Sequence, residues 1–361
     1  MRSALLLAVA ATLLVGGCLR SPSDRIARDE AVGRAEAHGL LVQVDDGLAV
    51  VRRVEPGQLE LWSQAPVLTV RVTASAASSV RLVVGNAMPG AALEVREGGA
   101  TATLLERPLP TRGVWQLELP AGATTLRVAP PDADTRAPFR FAVLSDVQEA
   151  LPRVTDIYAR MNADPSLRFV YSAGDLTENG SRAQLEEFEE RMRTLNIPVY
   201  ATLGNHELFT QELPWHELFG RGTFHFDFKG VHYSAVDSGD GTLDPQAVAW
   251  LDGWLAHAAD GVHVFATHIP PFDPSGTRSG AFGSRNEAAA LVSRLAAGKV
   301  DLALYGHVHS LYSFSHGGVP AFISGGGGAI PEKFDGIERH YLVVSVDPDA
   351  GVEEVSVVRV D

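Results

Sequence analysis

Apolar and polar positions follow two different rhythms along this chain, and the change falls near residue 139. Between residues 40 and 128 they alternate in short runs, among them residues 40–44, 48–54, 59–62, 67–73, 80–84, 114–119 and 124–128. A period of two places successive side chains on opposite faces, which predicts half-buried strands. Asp45-Asp46-Gly47, Glu55-Pro56-Gly57 and Pro120-Ala121-Gly122 separate some of these runs. Asp-Gly between apolar runs is a hairpin signal, because glycine takes positive φ without a steric penalty. Seven or more such runs predict an all-β sandwich over residues 39–128. It contains no charged cluster and no histidine pair, so no chemistry is assigned to it.

Residues 129–138 carry three prolines among polar residues and read as a linker. Beyond them the rhythm alternates between strand and helix. Strands are expected at 139–144, 168–172, 198–202, 262–266, 300–304, 321–324 and 341–346. Helices are expected at 151–162, 181–195, 246–259 and 285–297, and a hairpin at 224–236 turns on Lys229-Gly230. Such alternation predicts an α/β layered domain over residues 139–361. Ligands of α/β sheets collect beyond the carboxyl ends of the strands.

The N-terminus adds a targeting signal. Arg2 precedes an apolar stretch from Ala4 to Gly17, and the chain's single cysteine, Cys18, follows. The stretch is short for a membrane span and fits the apolar core of an export signal. Val15-Gly16-Gly17-Cys18 resembles the bacterial lipoprotein cleavage box, in which the cysteine is lipidated and becomes the new N-terminus. This implies a signal peptide over 1–17, lipidation at Cys18, a polar tether over 18–38 with a short helix near residues 26–37, and anchoring through acyl chains. Leu19, rather than aspartate, after the cysteine favours the outer membrane of the cell envelope. The alternative is an ordinary signal peptide with an incidental cysteine. A formal charge of -14 without a long basic run argues against a duplex nucleic acid partner. Nothing identifies a protein partner.

Candidate chemistry lies in five polar blocks, each placed where an apolar run ends. They are Ser145-Asp146-Val147-Gln148, Gly174-Asp175, Gly204-Asn205-His206-Glu207, Thr267-His268 and Gly306-His307-Val308-His309. Eleven of the twelve histidines lie at or after His206, which places histidine chemistry in the second domain. A lone Gly-Asp is more often a turn, and a lone His-x-His is only moderately specific. The ordered set can supply carboxylates, amides and imidazoles to two neighbouring divalent cations, an arrangement suited to phosphoester hydrolysis.

On these blocks, residues 139–361 resemble the calcineurin-like metallophosphoesterase superfamily. The preceding sandwich, immunoglobulin- or fibronectin-like, resembles the arrangement in purple acid phosphatases. The resemblance implies a four-layer α/β fold, two β-sheets flanked by helices. It implies that Asp146 and His309 bind a first metal, that Asp175 bridges, and that Asn205, His268 and His307 bind a second. His206 would contact the phosphate or protonate the leaving oxygen. The cofactors would be two divalent metal ions, with Mn²⁺, iron, Zn²⁺ and Mg²⁺ all open, and the substrate a small phosphorylated molecule. Gln148 departs from the family's histidine. Its amide oxygen, if it ligates, is a weaker donor than imidazole, which implies a weaker first site shifted toward Mn²⁺ or Mg²⁺. The rival reading is a catalytically weakened lipoprotein of the same fold, acting as an envelope binding or scaffold protein.

Residues 270–278 follow His268 and are a candidate lid. Arg278 and Arg285 are the nearest guanidinium groups for a phosphate. Gly325 to Gly328 lack a following Lys-Ser/Thr and are no P-loop. His216, His225, His232, His257, His263, His316 and His340 are expected to serve surface or packing roles, and Trp215, Trp250 and Trp254 to pack.

Overall fold

The computed structural model describes residues 21–276, 280–333 and 335–360. The signal segment, Cys18 and Arg278 lie outside them. Residues 34–129 form two five-stranded sheets. One runs in the order Arg34–Ala37, Leu40–Val44, Leu68–Ala74, Gly122–Ala129, Ala92–Glu97. The other runs Ala49–Glu55, Gln58–Ser63, Ser78–Gly85, Arg112–Leu119, Thr101–Leu109. The alternation in sequence becomes alternation in burial: Val70 and Val72 are fully buried while Arg71 and Thr73 face out. Val42, Val70, Val72 and Leu126 of one sheet share a buried cluster with Leu59, Leu61, Leu82 and Leu117 of the other.

The segment expected to be a tether is, from residue 21 onward, part of the folded body. Its helix runs Pro22–Ala31, earlier than expected, and Arg34–Ala37 is a strand. Ser21 caps the helix by accepting from the Asp24 N–H, with Pro22 in the first turn, and Gly33 at φ +91° turns the chain out of it. Arg25 is almost fully buried, paired with Asp237 and, at 3.0 Å, with Asp240. Asp29 accepts from the Gly222 and Thr223 N–H groups at 2.7 and 2.9 Å. These partners lie about two hundred residues away, which is why local polarity read as a loose segment. The Pro-rich stretch at 129–138 is likewise pinned. Asp132 accepts from Arg168 at 2.8 Å and from Lys229 at 3.1 Å, and Arg136 pairs with Asp349.

Residues 139–360 form a five-stranded and a six-stranded sheet. In the first, Phe139–Leu144, Leu167–Ser172 and Val199–Ala201 run parallel, with His340–Asp347 and Gly351–Arg359 antiparallel beside them. In the second, Val231–Val236, Val262–Thr267, Leu302–Tyr305 and Val319–Ser324 run parallel between Phe224–Phe228 and Leu311–His316. The strands near 321 and 341 therefore complete different sheets. Aromatic rings join the two sheets: Phe141 meets Tyr233 at 5.4 Å and Phe169 meets Phe226 at 6.0 Å. Alternate residues of the first sheet, such as Ala142 and Leu144, cluster instead with Ile157 and Phe188 of helices Thr155–Asn162 and Arg182–Met192. Phe265 and Ala303 of the second cluster with Leu251 and Leu291 of helices Pro245–His257 and Arg285–Ala297. Among the described residues no helix is long and apolar enough to cross a membrane.

The two halves meet at Val199–Ala201, the edge strand of its sheet. An edge exposes unpaired backbone groups. Here, side chains from the first half pair with them. Asn86 accepts from the Val199 N–H at 2.9 Å and donates to the Val199 carbonyl at 2.7 Å. Gln64 donates to the Ala201 and Arg221 carbonyls.

A buried charge stripped of its partner costs about 3–5 kcal/mol. Arg25→Met leaves Asp237 unpaired, so it is expected to lower unfolding stability in urea by about that amount. An unchanged midpoint would mean that the helix at residue 22 is not part of the cooperative unit.

Candidate metal centre

Parallel strands deliver their carboxyl ends to one side, and all five polar blocks follow such ends. Asp146 follows Phe139–Leu144, Asp175 follows Leu167–Ser172, and Asn205 follows Val199–Ala201. His268 follows Val262–Thr267, and His307 follows Leu302–Tyr305. Each chain turns sharply there. Asp146, Gln148, Asp175 and His307 have φ of +60°, +44°, +53° and +70°, four of the eleven described non-glycine residues with positive φ. Such conformations cost about 1–3 kcal/mol each and collect at functional sites. The preceding glycines allow the blocks to touch. A Cβ on Gly306 would stand 2.7 Å from Asp146 Oδ2, and one on Gly204 would collide with Asp175 Oδ1.

Side chains from all five blocks converge. Asp175 Oδ1 accepts from the His206 N–H at 2.9 Å. Its Oδ2 accepts from Gln148 Nε2 at 2.8 Å and lies 3.2 Å from His268 Nε2. Gln148 Nε2 is also 3.2 Å from His309 Nε2, which stands 3.6 Å from Asp146 Oδ1. The amide's oxygen and nitrogen are assigned by this network, and a flip would turn its oxygen toward the same atoms. On the other side of Asp175, Asn205 Oδ1 lies 3.0 Å from His268 Nε2 and 2.8 Å from His307 Nδ1. Asp146 accepts from the His307 N–H at 3.0 Å, tying the first block to the last.

Carbonyl oxygens orient the rings. His268 Nδ1 is 2.8 Å from the Ala173 carbonyl, and His309 Nδ1 is 2.7 Å from that of Ile330. A carbonyl only accepts, so Nδ1 carries the proton and Nε2 is turned to the cluster. This is the usual support for a metal-binding imidazole. His268 Nε2 then faces two oxygens, Asp175 Oδ2 and Asn205 Oδ1, and only a proton or a cation between them relieves the repulsion. Burial alone lowers the His268 pKa, but the Asp175 carboxylate overrides it and pushes it up to about 9. Burial works against ionised Asp175 as well, and His268 and His206 hold its carboxyl below the usual range. Burial raises Asp146. The donor set of oxygens and imidazole nitrogens fits divalent cations.

His206 lies at the solvent edge. Its Nδ1 is 2.7 Å from the Glu178 carbonyl, its Nε2 is 4.0 Å from Asp175 Oδ2, and Phe209 packs on its ring. Gly280 lies beside the site, since a Cβ there would meet His307 Cδ2 at 3.4 Å, and its N–H donates to Asp273 Oδ2 at 3.3 Å. Arg285 makes no hydrogen bond or ion pair with the cluster among the described residues. It stands exposed in the first turn of Arg285–Ala297, which Ser284 caps, and makes no ion pair among the described residues. The glycine run packs behind the site, with the Gly327 and Ala329 N–H groups donating to the Ser145 and Asp146 carbonyls.

Glu207 has a role that the sequence did not single out. It is fully buried and accepts from the N–H groups of Gly204, Asp175 and Thr177 and from the Thr177 hydroxyl, at 2.8 to 3.0 Å. It therefore clamps the Asp175 loop to the Asn205 loop. Burial first, then the Asp175 charge, push its carboxyl up to about 7. The only signal in the sequence is an acidic residue directly after Asn-His.

Residues 139–311 match the family model of calcineurin-like phosphoesterases. The chain is 26% identical over 156 residues to a 3',5'-cyclic-nucleotide phosphodiesterase of Nostoc sp., covering 40% of this chain and 57% of that protein. It is 28% identical over 186 residues to a probable cyclic nucleotide phosphodiesterase of Synechococcus sp., covering 47% and 71%. The solved structure of PhoD aligns over 82% of this chain and 88% of its own, at 13% identity and a TM-score of 0.49.

Glu207→Ala removes the acceptor of four hydrogen bonds from buried donors, and unsatisfied buried donors cost about 1–3 kcal/mol each. The variant is expected to lose about 3 kcal/mol or more of stability and to bind Mn²⁺ more weakly in equilibrium dialysis. Unchanged Mn²⁺ affinity would show that the clamp does not hold the site.

Proposed function

We propose that the protein is an exported, lipid-anchored, metal-dependent phosphoesterase that hydrolyses phosphomono- or phosphodiesters with water. The observation that carries this reading is Asp175 Oδ2, which stands between Gln148 and His268 and so belongs to two donor sets at once. Asp146, Gln148 and His309 form one set with it, and Asn205, His268 and His307 the other. Two divalent cations held there would supply charge for the phosphoryl oxygens and a water acidic enough to attack near neutral pH. The chain's own part is to fix that geometry and to handle the leaving group. His206, with Nδ1 held by the Glu178 carbonyl, keeps Nε2 at the open edge, where it can contact a phosphoryl oxygen or protonate the departing one. Phe209 and Ile330, both exposed beside the site, give the substrate's organic part an apolar rim. The helix clusters outside the two sheets support a four-layer reading of residues 139–360.

The family match and the names of the two cyanobacterial relatives make phosphodiesters the first class to test. The anchor at Cys18 rests on the sequence of residues 1–18, and a Cys18-dependent band labelled by a clickable fatty acid tests it. Gln148 favours unequal sites, so metal-free protein is expected to fill in two steps with Mn²⁺.

The decisive assay is hydrolysis of bis-p-nitrophenyl phosphate and p-nitrophenyl phosphate with Mn²⁺. Asp175→Asn is expected to abolish turnover. His206→Ala is expected to lower kcat by roughly 10²–10⁴-fold with metal content unchanged. No turnover by the unaltered protein with any divalent metal would favour the binding-protein reading instead.

A further inference from the structure

A second set of metal-ligating side chains lies away from the centre just described. His225 and Asp227 sit two apart on the strand Phe224–Phe228, so they share a face. His232 is the direct cross-strand partner of Asp227 on Val231–Val236, and His257 ends the helix Pro245–His257. The three imidazoles surround one carboxylate. His225 Nε2 is 3.2 Å and His232 Nδ1 2.7 Å from Asp227 Oδ1, and His257 Nε2 is 3.0 Å from Asp227 Oδ2. The donor atoms of all four lie within 4.8 Å of one another.

We propose that His225, Asp227, His232 and His257 form a separate binding site for one Zn²⁺-class divalent cation. Three nitrogens and one oxygen are a complete tetrahedral set. With metal–ligand bonds of about 2.0–2.2 Å, the ligands around zinc stand roughly 3.3 Å apart. The three imidazole-to-carboxylate spacings, 2.7 to 3.2 Å, are already close to that, and all four donor atoms lie within 4.8 Å of one another.

The rings are held from outside. His225 stacks on Trp254 at 5.5 Å. His232 packs its Nε2 side against Gly261, where a Cβ would come within 2.6 Å, and this leaves Nδ1 to face Asp227. His225 Nε2 is buried and makes no hydrogen bond among the described residues, although it faces the carboxylate. Burial works against the Asp227 charge, and the surrounding imidazoles hold its carboxyl well below the usual range. Solvent reaches the cluster through Asp227 and His257, whose side chains are 45% and 57% exposed.

The site is distinct from the hydrolytic centre. His232 pairs in register with His263 near the start of Val262–Thr267, whereas His268 follows that strand's end. Five residues of strand separate the two levels by roughly 16 Å. A closed ligand set with no open position suits a structural cation, here one that ties the edge hairpin to the end of a helix.

Equilibrium dialysis of the full chain against Zn²⁺, followed by metal analysis, tests the proposal. The hydrolytic centre is disabled with Asp175→Asn and His307→Ala. That protein is expected to retain one zinc per chain and to gain thermal stability from it, and to take up Co²⁺ with the visible absorption of a tetrahedral ion. Adding His225→Ala and His232→Ala is expected to abolish all three signals. His257→Gln alters only an exposed helix end, and in the otherwise unaltered protein it is expected to weaken one zinc equivalent by ~10-fold or more. Absence of that equivalent from the disabled protein, or a zinc affinity indifferent to His257→Gln, would overturn the proposal.

Discussion

Burying two carboxylates side by side is the constraint around which this protein is organised. Asp146 and Asp175 are essentially excluded from solvent, and each raises the cost of ionising the other. A pair of buried like charges persists only where positive charge or donors meet it. Several nearby features supply one or the other. Backbone N–H groups of His206 and His307 donate to the two carboxylates, and the Asp175 carbonyl accepts from Val147. The imidazoles of His268, His307 and His309, placed after two further strands, complete the ring. The left-handed backbone at four of these residues stores strain that only a cooperative fold can sustain.

The N-terminal sheets take part in that cooperation. Asn86 and Gln64 satisfy the outer edge of Val199–Ala201, the strand whose end carries Asn205 and His206. The buried cluster of the first two sheets continues through Phe139 into the aromatic layer between the other two. Arg25 reaches Asp237, just beyond the end of Val231–Val236. The first half therefore braces the strand that positions an amide donor, and the helix at residue 22 is fastened near the same rim.

Period-two and helical rhythms made most elements legible, because burial follows local pattern wherever a face meets one core. The hairpin at Lys229-Gly230 and the helix Arg285–Ala297 fall where the pattern puts them. The polar blocks were legible for a related reason: an abrupt polar residue after a buried strand has few purposes. What escaped were features set by distant partners. The helix Pro22–Ala31 looks loose until Asp237 and Gly222 are beside it. Glu207 is one more acidic residue until its four donors are counted. His225, His232 and His257 read singly as packing residues, since nothing local says that a hairpin and a helix end will bring them to one carboxylate.

The central claim is that Asp175 is shared by two cations. Electron paramagnetic resonance of the Mn²⁺-loaded protein tests it most directly. Two ions bridged by one carboxylate are predicted to show an exchange-coupled spectrum that disappears in Asp175→Asn. A fully loaded protein showing only the hyperfine pattern of isolated Mn²⁺ would contradict the account.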